Sequence, residues 1–189
     1  MNKRQLIVTS ILLSLMLLLA MTQILFKDNF EQVIFMNQGI SEFKEYKFDE
    51  GKYIILLPNE WIVDEKESKG QFISSKLNFK DKNNKINGLV EVINTKEDLN
   101  VFAEKDLNNQ YLEYYNSDIA PFKNLNNSGV VVQYETTIKN GYDFKNECYY
   151  LNLEKGKTIK ILFNLNEKSY KENMKIILNA TISSIKAIK

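Results

Sequence analysis

The stretch VVVQYETTIKNGYDFKNECYYLNLEKGKTIKILFNL, residues 130–165, decides the fold. It contains three runs rich in β-branched and aromatic residues, at 130–138, 144–153 and 158–165. Each connection between them contains one glycine, a residue that supplies the positive φ angles of tight turns. The pattern therefore predicts an antiparallel meander of three strands.

Further strands are expected before the meander. Residues 53–57 form a continuous apolar run that ends at Pro58. This indicates a short strand buried on both faces, because proline cannot donate to a strand ladder. The runs 72–79 and 89–93 lie on either side of a turn-rich segment. They predict a β-hairpin.

Two helices are predicted from apolar residues at three- and four-residue steps. The first starts at Thr95, whose side-chain oxygen can accept from free backbone amides, and continues to Tyr114. The stretch 117–128 after it is polar and contains a proline, so we expect a loop there. The second helix starts with a capping box at Ser169 and continues to Ile188.

These elements predict an α+β fold. Two helices and about six strands, in the order β-β-β-α-β-β-β-α, give a twisted antiparallel sheet with helices covering its faces. We place this domain at residues 46–189, a length that is sufficient for one hydrophobic core and too short for two domains.

An apolar, uncharged run precedes the domain from Leu6 to Phe26. Its roughly 21 residues span about 30 Å as a helix, which is the thickness of the hydrocarbon core of a bilayer. Residues 1–26 are therefore predicted to be a single-pass membrane anchor. Lys3 and Arg4 precede the run, so the N-terminus is expected in the cytoplasm and the domain outside it. The alternative is a cleaved signal peptide.

Residues 27–45 are expected to link the anchor to the domain. The simplest interpretation is a tether that holds the domain away from the bilayer. The alternative is that the apolar residues of its first half lie on the lipid surface as a short amphipathic helix.

Composition excludes several kinds of chemistry. The chain has no histidine, so Ser-His-Asp triads and histidine-based zinc sites cannot be built from it. Its one cysteine, Cys148, cannot form an internal disulfide and is expected to be a small buried hydrophobic residue. We predict no catalytic residue, no cofactor and no metal site.

Charge is balanced, with 25 Lys and Arg residues against 24 Asp and Glu residues. The signs are interspersed, and Arg4 is the only arginine, so no nucleic acid partner is expected. The abundance of lysine and asparagine, which are encoded by A/T-rich codons, is typical of a low-GC bacterium.

Two aromatic residues are candidate partner contacts, Trp61 and Tyr115. Trp61 follows a strand-ending proline, and the competing interpretation is that it closes one end of the core. Tyr115 is adjacent to Tyr114, and two neighbouring side chains cannot both point inward. The acidic stretch 64–67 after Trp61 is interpreted as a solvated loop, not as a pair of catalytic carboxylates.

Three segments resemble PsbP-like domains. The first is Tyr46-x-Phe48 with the strand that leads to Leu57-Pro58-Asn59-Glu60-Trp61. The second is Ile86-x-Gly88-x-Val90-x-Val92, and the third is the closing helix around Tyr170-x-x-Asn173-x-x-x-Ile177 with Ser183-Ser184 near its end. The resemblance covers residues 46–189, and its motifs are turns and core positions without reaction chemistry.

The resemblance implies an α/β/α sandwich that serves as a binding or assembly module. Relatives include an extrinsic subunit of photosystem II and a nuclear import factor that binds the Ran GTPase, so the fold alone does not define the function. Some photosynthetic members are associated with metal sites that use histidine. This chain has no histidine, so neither a metal site nor a partner is carried over.

The expected function is that of a non-enzymatic binding or accessory module of the cell envelope. It would be anchored in the cell membrane by the N-terminal helix and would contact a protein or envelope component. The alternative is a carrier or sensor of an apolar small molecule held between sheet and helix. A histidine-free hydrolase is a third hypothesis and would require convergent polar groups in one pocket.

Overall fold

The computed structural model describes residues 5, 8–22, 40, 42–67, 72–83, 85–124, 126–138, 141–172 and 174–188. The chain divides into two compact units, residues 1–39 and residues 40–189.

In the first unit, residues 8–22 form helix α1. Within the described residues, no helix combines the length and the apolar character needed to cross a membrane. Residues 1–4, 6–7 and 23–26 of the predicted anchor lie outside the described residues, and so does most of the predicted linker 27–45.

The second unit contains, in its described part, ten strands, two helices and one short 3-10 helix. Their order is β1 (Phe43–Phe48), β2 (Tyr53–Pro58), β3 (Ile62–Glu67), β4 (Ile73–Lys80), β5 (Ile86–Asn94), α2 (Leu99–Asn108), β6 (Tyr114–Lys123), β7 (Ser128–Ile138), β8 (Tyr142–Glu154), β9 (Lys157–Asn166), the 3-10 helix (Glu167–Ser169), α3 (Met174–Ser183) and β10 (Lys186–Ala187).

The strands form two antiparallel sheets among the described residues. Seven strands make the large sheet in the order β3-β4-β5-β9-β8-β7-β6, and three make the small sheet in the order β1-β2-β10. The predicted meander is confirmed as β7-β8-β9, and the predicted hairpin as β4-β5. Pairing of β5 with β9 joins the hairpin to the meander. The prediction of an α+β fold with a large antiparallel sheet is therefore confirmed.

The central sheet is larger than the predicted sheet of about six strands, and the described residues form a second sheet that was not predicted. The large sheet has seven strands, and a separate small sheet contacts it through β1 and β4. The strand β2 is buried along almost its whole length, as predicted, and it contacts α3. Helix α3 therefore packs against the small sheet. The sequence pattern predicts instead that both helices cover the faces of one central sheet.

Helix α2 covers part of one face of the large sheet, which we call the α2 face. Ala103 and Leu107 of α2 pack there against Val132, Cys148 and Tyr150. Residues directly opposite each other on paired strands have side chains on the same face. The pairing register therefore identifies which residues of every strand, from β6 to β3, belong to the α2 face. Helix α2 lies mainly over β6, β7 and β8.

The first predicted helix is shorter than expected. It is capped by Asp98 instead of Thr95 and ends at Asn108, so Tyr114 lies outside it. Residues 114–123 form the edge strand β6 in place of most of the predicted loop. An edge strand tolerates Pro121 and exposed polar side chains, and such a strand lacks the alternation that marks a half-buried one.

The last predicted helix and the acidic loop also differ from the structure. Ser169 ends the short 3-10 helix, and α3 begins only at Met174, so the predicted capping box does not start the helix. Ile188 follows β10, which pairs with β2. The acidic stretch after Trp61 belongs to the edge strand β3, where charged side chains are common because they discourage pairing with other chains.

Candidate binding site

A cleft of about 280 Å³ opens on the α2 face near the C-terminal end of α2. Half of its lining is polar but uncharged, from Asn87, Gln110, Thr136, Asn146 and Asn164. The other half is mainly apolar, from Leu112, Tyr134, Ile138, Phe144 and Leu162. We call this site the amide cleft. None of the described residues that line it carries a charge.

Three asparagines on adjacent strands form the floor of the amide cleft. Asn87 of β5 is directly opposite Asn164 of β9, and Asn164 is directly opposite Asn146 of β8. The Asn164 Nδ2 donates to the Asn87 Oδ1 at 2.9 Å. The pairing register therefore places three amide side chains in a row across the sheet, on strands that are about 4.8 Å apart.

Asn146 is the most buried member of this row, with 3% of its surface exposed. Its Nδ2 donates to the Thr136 Oγ1 at 3.1 Å and to the Tyr134 carbonyl oxygen at 3.3 Å. Among the described residues, no group donates to its Oδ1. Although the residue as a whole is buried, the Oδ1 is not among the buried side-chain atoms that lack a partner, so it is open to the cleft and available to a ligand donor.

The apolar side chains form the wall and the rim. Phe144 and Thr136 are opposite each other on β8 and β7, and Ile138 is opposite Tyr142 at the end of the same pair of strands. Ile138, Tyr142 and Leu112 are exposed. Burial raises the pKa of Tyr134 to about 12, so its hydroxyl stays protonated and can donate a hydrogen bond.

A separate cluster of charged groups lies under α2 on the same face of the sheet. Lys160 Nζ is 2.6 Å from Asp106 Oδ2, and the Tyr150 hydroxyl donates to the same carboxylate at 2.5 Å. Glu91 accepts from Lys76 at 2.9 Å. These groups neutralise one another and attach α2 to the sheet. Leu162 lies between Lys160 and the amide floor along β9.

A second pocket of about 410 Å³ adjoins the amide cleft and shares Asn87 and Asn164 with it. It continues toward the edge strand β3 and is lined there by charged as well as neutral side chains, among them Asp64, Lys66 and Lys80. A groove therefore extends from the amide cleft across the uncovered part of the α2 face.

A third pocket of about 240 Å³ has a charged lining. Its polar groups contact each other or their neighbours: Glu147 accepts from the Tyr149 hydroxyl at 2.6 Å, and Glu135 accepts from Asn116 at 2.7 Å. Its carboxylates are therefore already engaged.

The structure does not bring the two predicted contact residues to the amide cleft. Trp61 has 7% of its surface exposed and stacks on Phe79, with ring centroids 5.3 Å apart. Tyr115 is 43% exposed on β6, and its hydroxyl lies 3.1 Å from the Thr137 Oγ1. Neither residue lines the cleft. A role of either in partner contact stays a prediction.

Sequence reasoning missed the three asparagines of the floor. Asparagine is uncommon in strand interiors, and Asn146 and Asn164 lie within runs that were predicted as strands. The presence of asparagine inside predicted strands was the signal by which sequence analysis could have found these two residues. Only the register shows that the residues are neighbours, and Asn87 joins them through a strand that is distant in sequence.

No protein-family model matches the chain, and no curated protein matches its sequence. Its fold is similar to the solution structure of the cyanobacterial PsbP protein, CyanoP, from Synechocystis sp. PCC 6803. The TM-score is 0.55 and the identity 12%, over 79% of this chain and 94% of that chain. The fold is PsbP-like.

A crystal structure from Bacteroides thetaiotaomicron VPI-5482 also aligns, with a TM-score of 0.42 and 10% identity over 77% of this chain and 48% of that chain. The similarity to CyanoP confirms, at the level of the fold, the resemblance inferred from sequence motifs. At this identity the similarity to CyanoP concerns architecture alone.

Proposed function

We propose that this protein is a membrane-anchored, extracytoplasmic module of a bacterial cell envelope, which binds an envelope component through the amide cleft and catalyses no reaction. The observation that carries the proposal is the cleft itself: a concave, uncharged site on the face of the large sheet, with an acceptor on Asn146 that no described residue bonds.

The apolar N-terminal segment supports the anchor. Ten large apolar side chains of α1, between Val8 and Met21, are each more than half exposed. A helix that is apolar all round requires an apolar environment, which a bilayer supplies. The apolar run extends over 6–26, and Lys3 and Arg4 at its start favour a cytoplasmic N-terminus.

Binding is favoured over conversion by the groups present at the cleft. Amides and hydroxyls at neutral pH do not act readily as general acids or bases, and the chain has no histidine. Burial raises the pKa of the Cys148 thiol to about 12, so it stays protonated and unreactive. The alternative of an apolar carrier is less well supported, because the floor of the cleft is polar.

Topology can be tested with a membrane-impermeant maleimide on intact cells. Wild type provides the background, since buried Cys148 should not react. Asn152→Cys places a thiol at an exposed position of β8, and Asn2→Cys places one before the anchor. We expect labelling of Asn152→Cys in intact cells and of Asn2→Cys only after lysis. Protection of Asn152→Cys until lysis would contradict the proposal.

Occupancy of the cleft can be tested by photo-crosslinking in intact cells. A benzophenone amino acid replaces Leu112 at the exposed rim, or Asn152 as the control outside the cleft. We expect an adduct with an envelope component from position 112 that is lost when Asn164→Leu is added. An adduct that persists in the Asn164→Leu background, or that forms equally from position 152, would place binding elsewhere.

A further inference from the structure

We infer that the amide cleft binds a neutral, hydroxyl-rich sugar and that the adjoining groove accommodates further sugar units, so that the ligand is an uncharged oligosaccharide. This inference rests on the proposed function, because it names the class of envelope component that the anchored module would bind.

The first step is the absence of charge in the lining. Every polar side chain that the structure describes in the amide cleft carries either a carboxamide, as in asparagine and glutamine, or a hydroxyl, as in threonine and tyrosine. A carboxylate or phosphate ligand would lose its hydration there without gaining a counter-charge, which is costly. The amide cleft therefore favours an uncharged sugar unit, and the charged side chains of the adjoining pocket, Asp64, Lys66 and Lys80, can hydrogen-bond the hydroxyls of further neutral units.

The second step is the pattern of hydrogen-bonding groups left available. Among the described residues, the Oδ1 of Asn146 and the Oδ1 of Asn164 accept no hydrogen bond, and the Nδ2 of Asn87 donates none. Two acceptors and one donor are therefore carried by three side chains in a row, on strands that lie about 4.8 Å apart. Sugar hydroxyls both donate and accept, and hydroxyls on alternate ring carbons are separated by a similar distance.

The third step is the apolar side of the cleft. Phe144 and Leu162 line the same space as the amides. A sugar ring is amphipathic, since its hydroxyls project from the edge and its C–H groups form an apolar face. Such a ring can place hydroxyls on the amide floor while its C–H face covers an aromatic or aliphatic side chain.

The size and position of the site favour an oligosaccharide over a peptide. The cleft of about 280 Å³ accommodates a sugar ring, and the adjoining pocket of about 410 Å³ shares Asn87 and Asn164, so a chain can continue across them. An extended peptide would be expected to pair with the backbone of an edge strand. The amide row instead lies on central strands and projects from the face of the sheet.

The inference can be tested by calorimetric titration of the full chain, in a zwitterionic detergent that has no sugar headgroup. The probes are chitotriose and cellotriose, with a trisaccharide of glucuronic acid as the charged comparison. We expect at least one neutral trisaccharide to bind about tenfold more tightly than both the charged one and the corresponding monosaccharide. Equal or tighter binding of the uronic acid would overturn the inference.

Variants locate the binding. Asn164→Leu is expected to weaken neutral trisaccharide binding by about tenfold or more, since it removes amide groups from the centre of the row. Asn152→Ala, an exposed asparagine outside the cleft, should leave the affinity unchanged. In case Asn164→Leu does not fold, side-chain amide NMR signals of wild type provide an independent readout. The signals of Asn87 and Asn164 should shift during titration, whereas that of Asn152 should not.

The two proposals can fail separately. If no neutral trisaccharide binds at millimolar concentration while the adduct from position 112 still depends on Asn164, the ligand is not a glycan but the binding module stands. If Asn152→Cys is protected in intact cells, the envelope function fails whatever the titrations show. Titrations in which the Asn164 and Asn152 variants weaken binding equally would overturn the assignment of the sugar to the amide cleft.

Discussion

Gly88 lies in β5 directly opposite Phe79 on one side and Phe163 on the other. A Cβ at this position would overlap the carbonyl oxygen of Leu162 and would lie 2.6 Å from the ring of Phe79. Phe79 in turn stacks on Trp61. The absence of a side chain at Gly88 is therefore what allows this aromatic group to pack across the strand.

Gly88→Ala is expected to lower the free energy of unfolding by about 1–3 kcal/mol, because the new Cβ would overlap both the backbone of β9 and the Phe79 ring. Urea unfolding followed by circular dichroism measures the change. The control is Gly141→Asn, at an open turn position with φ of +74°, where asparagine is tolerated. Its effect should stay within about 0.5 kcal/mol. Equal stability of Gly88→Ala and wild type would contradict the packing argument.

At the same scale, Gly88 could be singled out from sequence, whereas the amide floor could not. Gly88 belongs to one of the motifs that resemble PsbP-like domains, and its spacing within a strand pattern is visible in the chain. The asparagines of the floor are separated by up to 77 positions, and only strand pairing brings them together.

At the scale of secondary structure elements, helix α2 is capped by Asp98 and not by Thr95, the residue that the sequence predicted. The Asp98 Oδ1 accepts from the amides of Asn100 at 2.9 Å and Val101 at 3.3 Å. The Thr95 Oγ1 accepts from the amide of Glu97 at 3.1 Å and so stabilises a turn before the helix. The carboxylate is also favourably placed at the positive end of the helix dipole.

Asp98→Ala is therefore expected to destabilise the protein by about 1 kcal/mol, the usual cost of losing an N-cap. Thr95→Ala should cost less, since its hydroxyl caps no helix. Thermal unfolding of the two variants and wild type makes the comparison. If Thr95→Ala were the more damaging change, the helix would begin where the sequence pattern placed it.

At the scale of the whole domain, Asp49 connects the two sheets. It lies in the turn between β1 and β2 of the small sheet, and its buried carboxylate accepts from Ser74 Oγ at 2.7 Å and Lys157 Nζ at 2.8 Å. Ser74 belongs to β4 and Lys157 to β9, both in the large sheet. Burial by itself would raise the pKa of Asp49, but the bonds from Lys157 and Ser74 outweigh it and lower the pKa below its ordinary value.

A lowered pKa in the folded state means that the unfolded chain binds the proton more tightly. The contribution of Asp49 to stability is therefore present above about pH 4 and is lost as the pH falls through the folded-state pKa. Asp49→Asn is expected to cost about 1–3 kcal/mol at pH 7, as for hydrogen bonds to a charged group. Asparagine also tolerates the φ of +52° at this position.

Urea titrations at pH 7 and near pH 3 test this coupling between sheets. The difference in the free energy of unfolding between wild type and Asp49→Asn should be smaller near pH 3 than at pH 7. Glu50→Gln, an exposed neighbour in the same turn, is the matched control and should show little difference at either pH. A difference of constant size across this range would show that the charge on Asp49 does not join the sheets.

The sequence by itself determined the features that depend on neighbours along the chain. The meander, the β4-β5 hairpin and the buried strand β2 follow from local periodicity and turn residues, because side chains in a strand alternate between its two faces. The composition likewise excluded histidine chemistry, since a missing residue type cannot be supplied by folding.

Tertiary structure alone decided the division into two sheets, the edge strands β3 and β6, and the amide cleft. Edge strands carry polar side chains on exposed faces, so they lack the hydrophobic alternation by which strands are predicted. The cleft depends on the register of β5, β8 and β9 and on where α2 ends, because a ligand site requires side chains that are close in space and not in sequence.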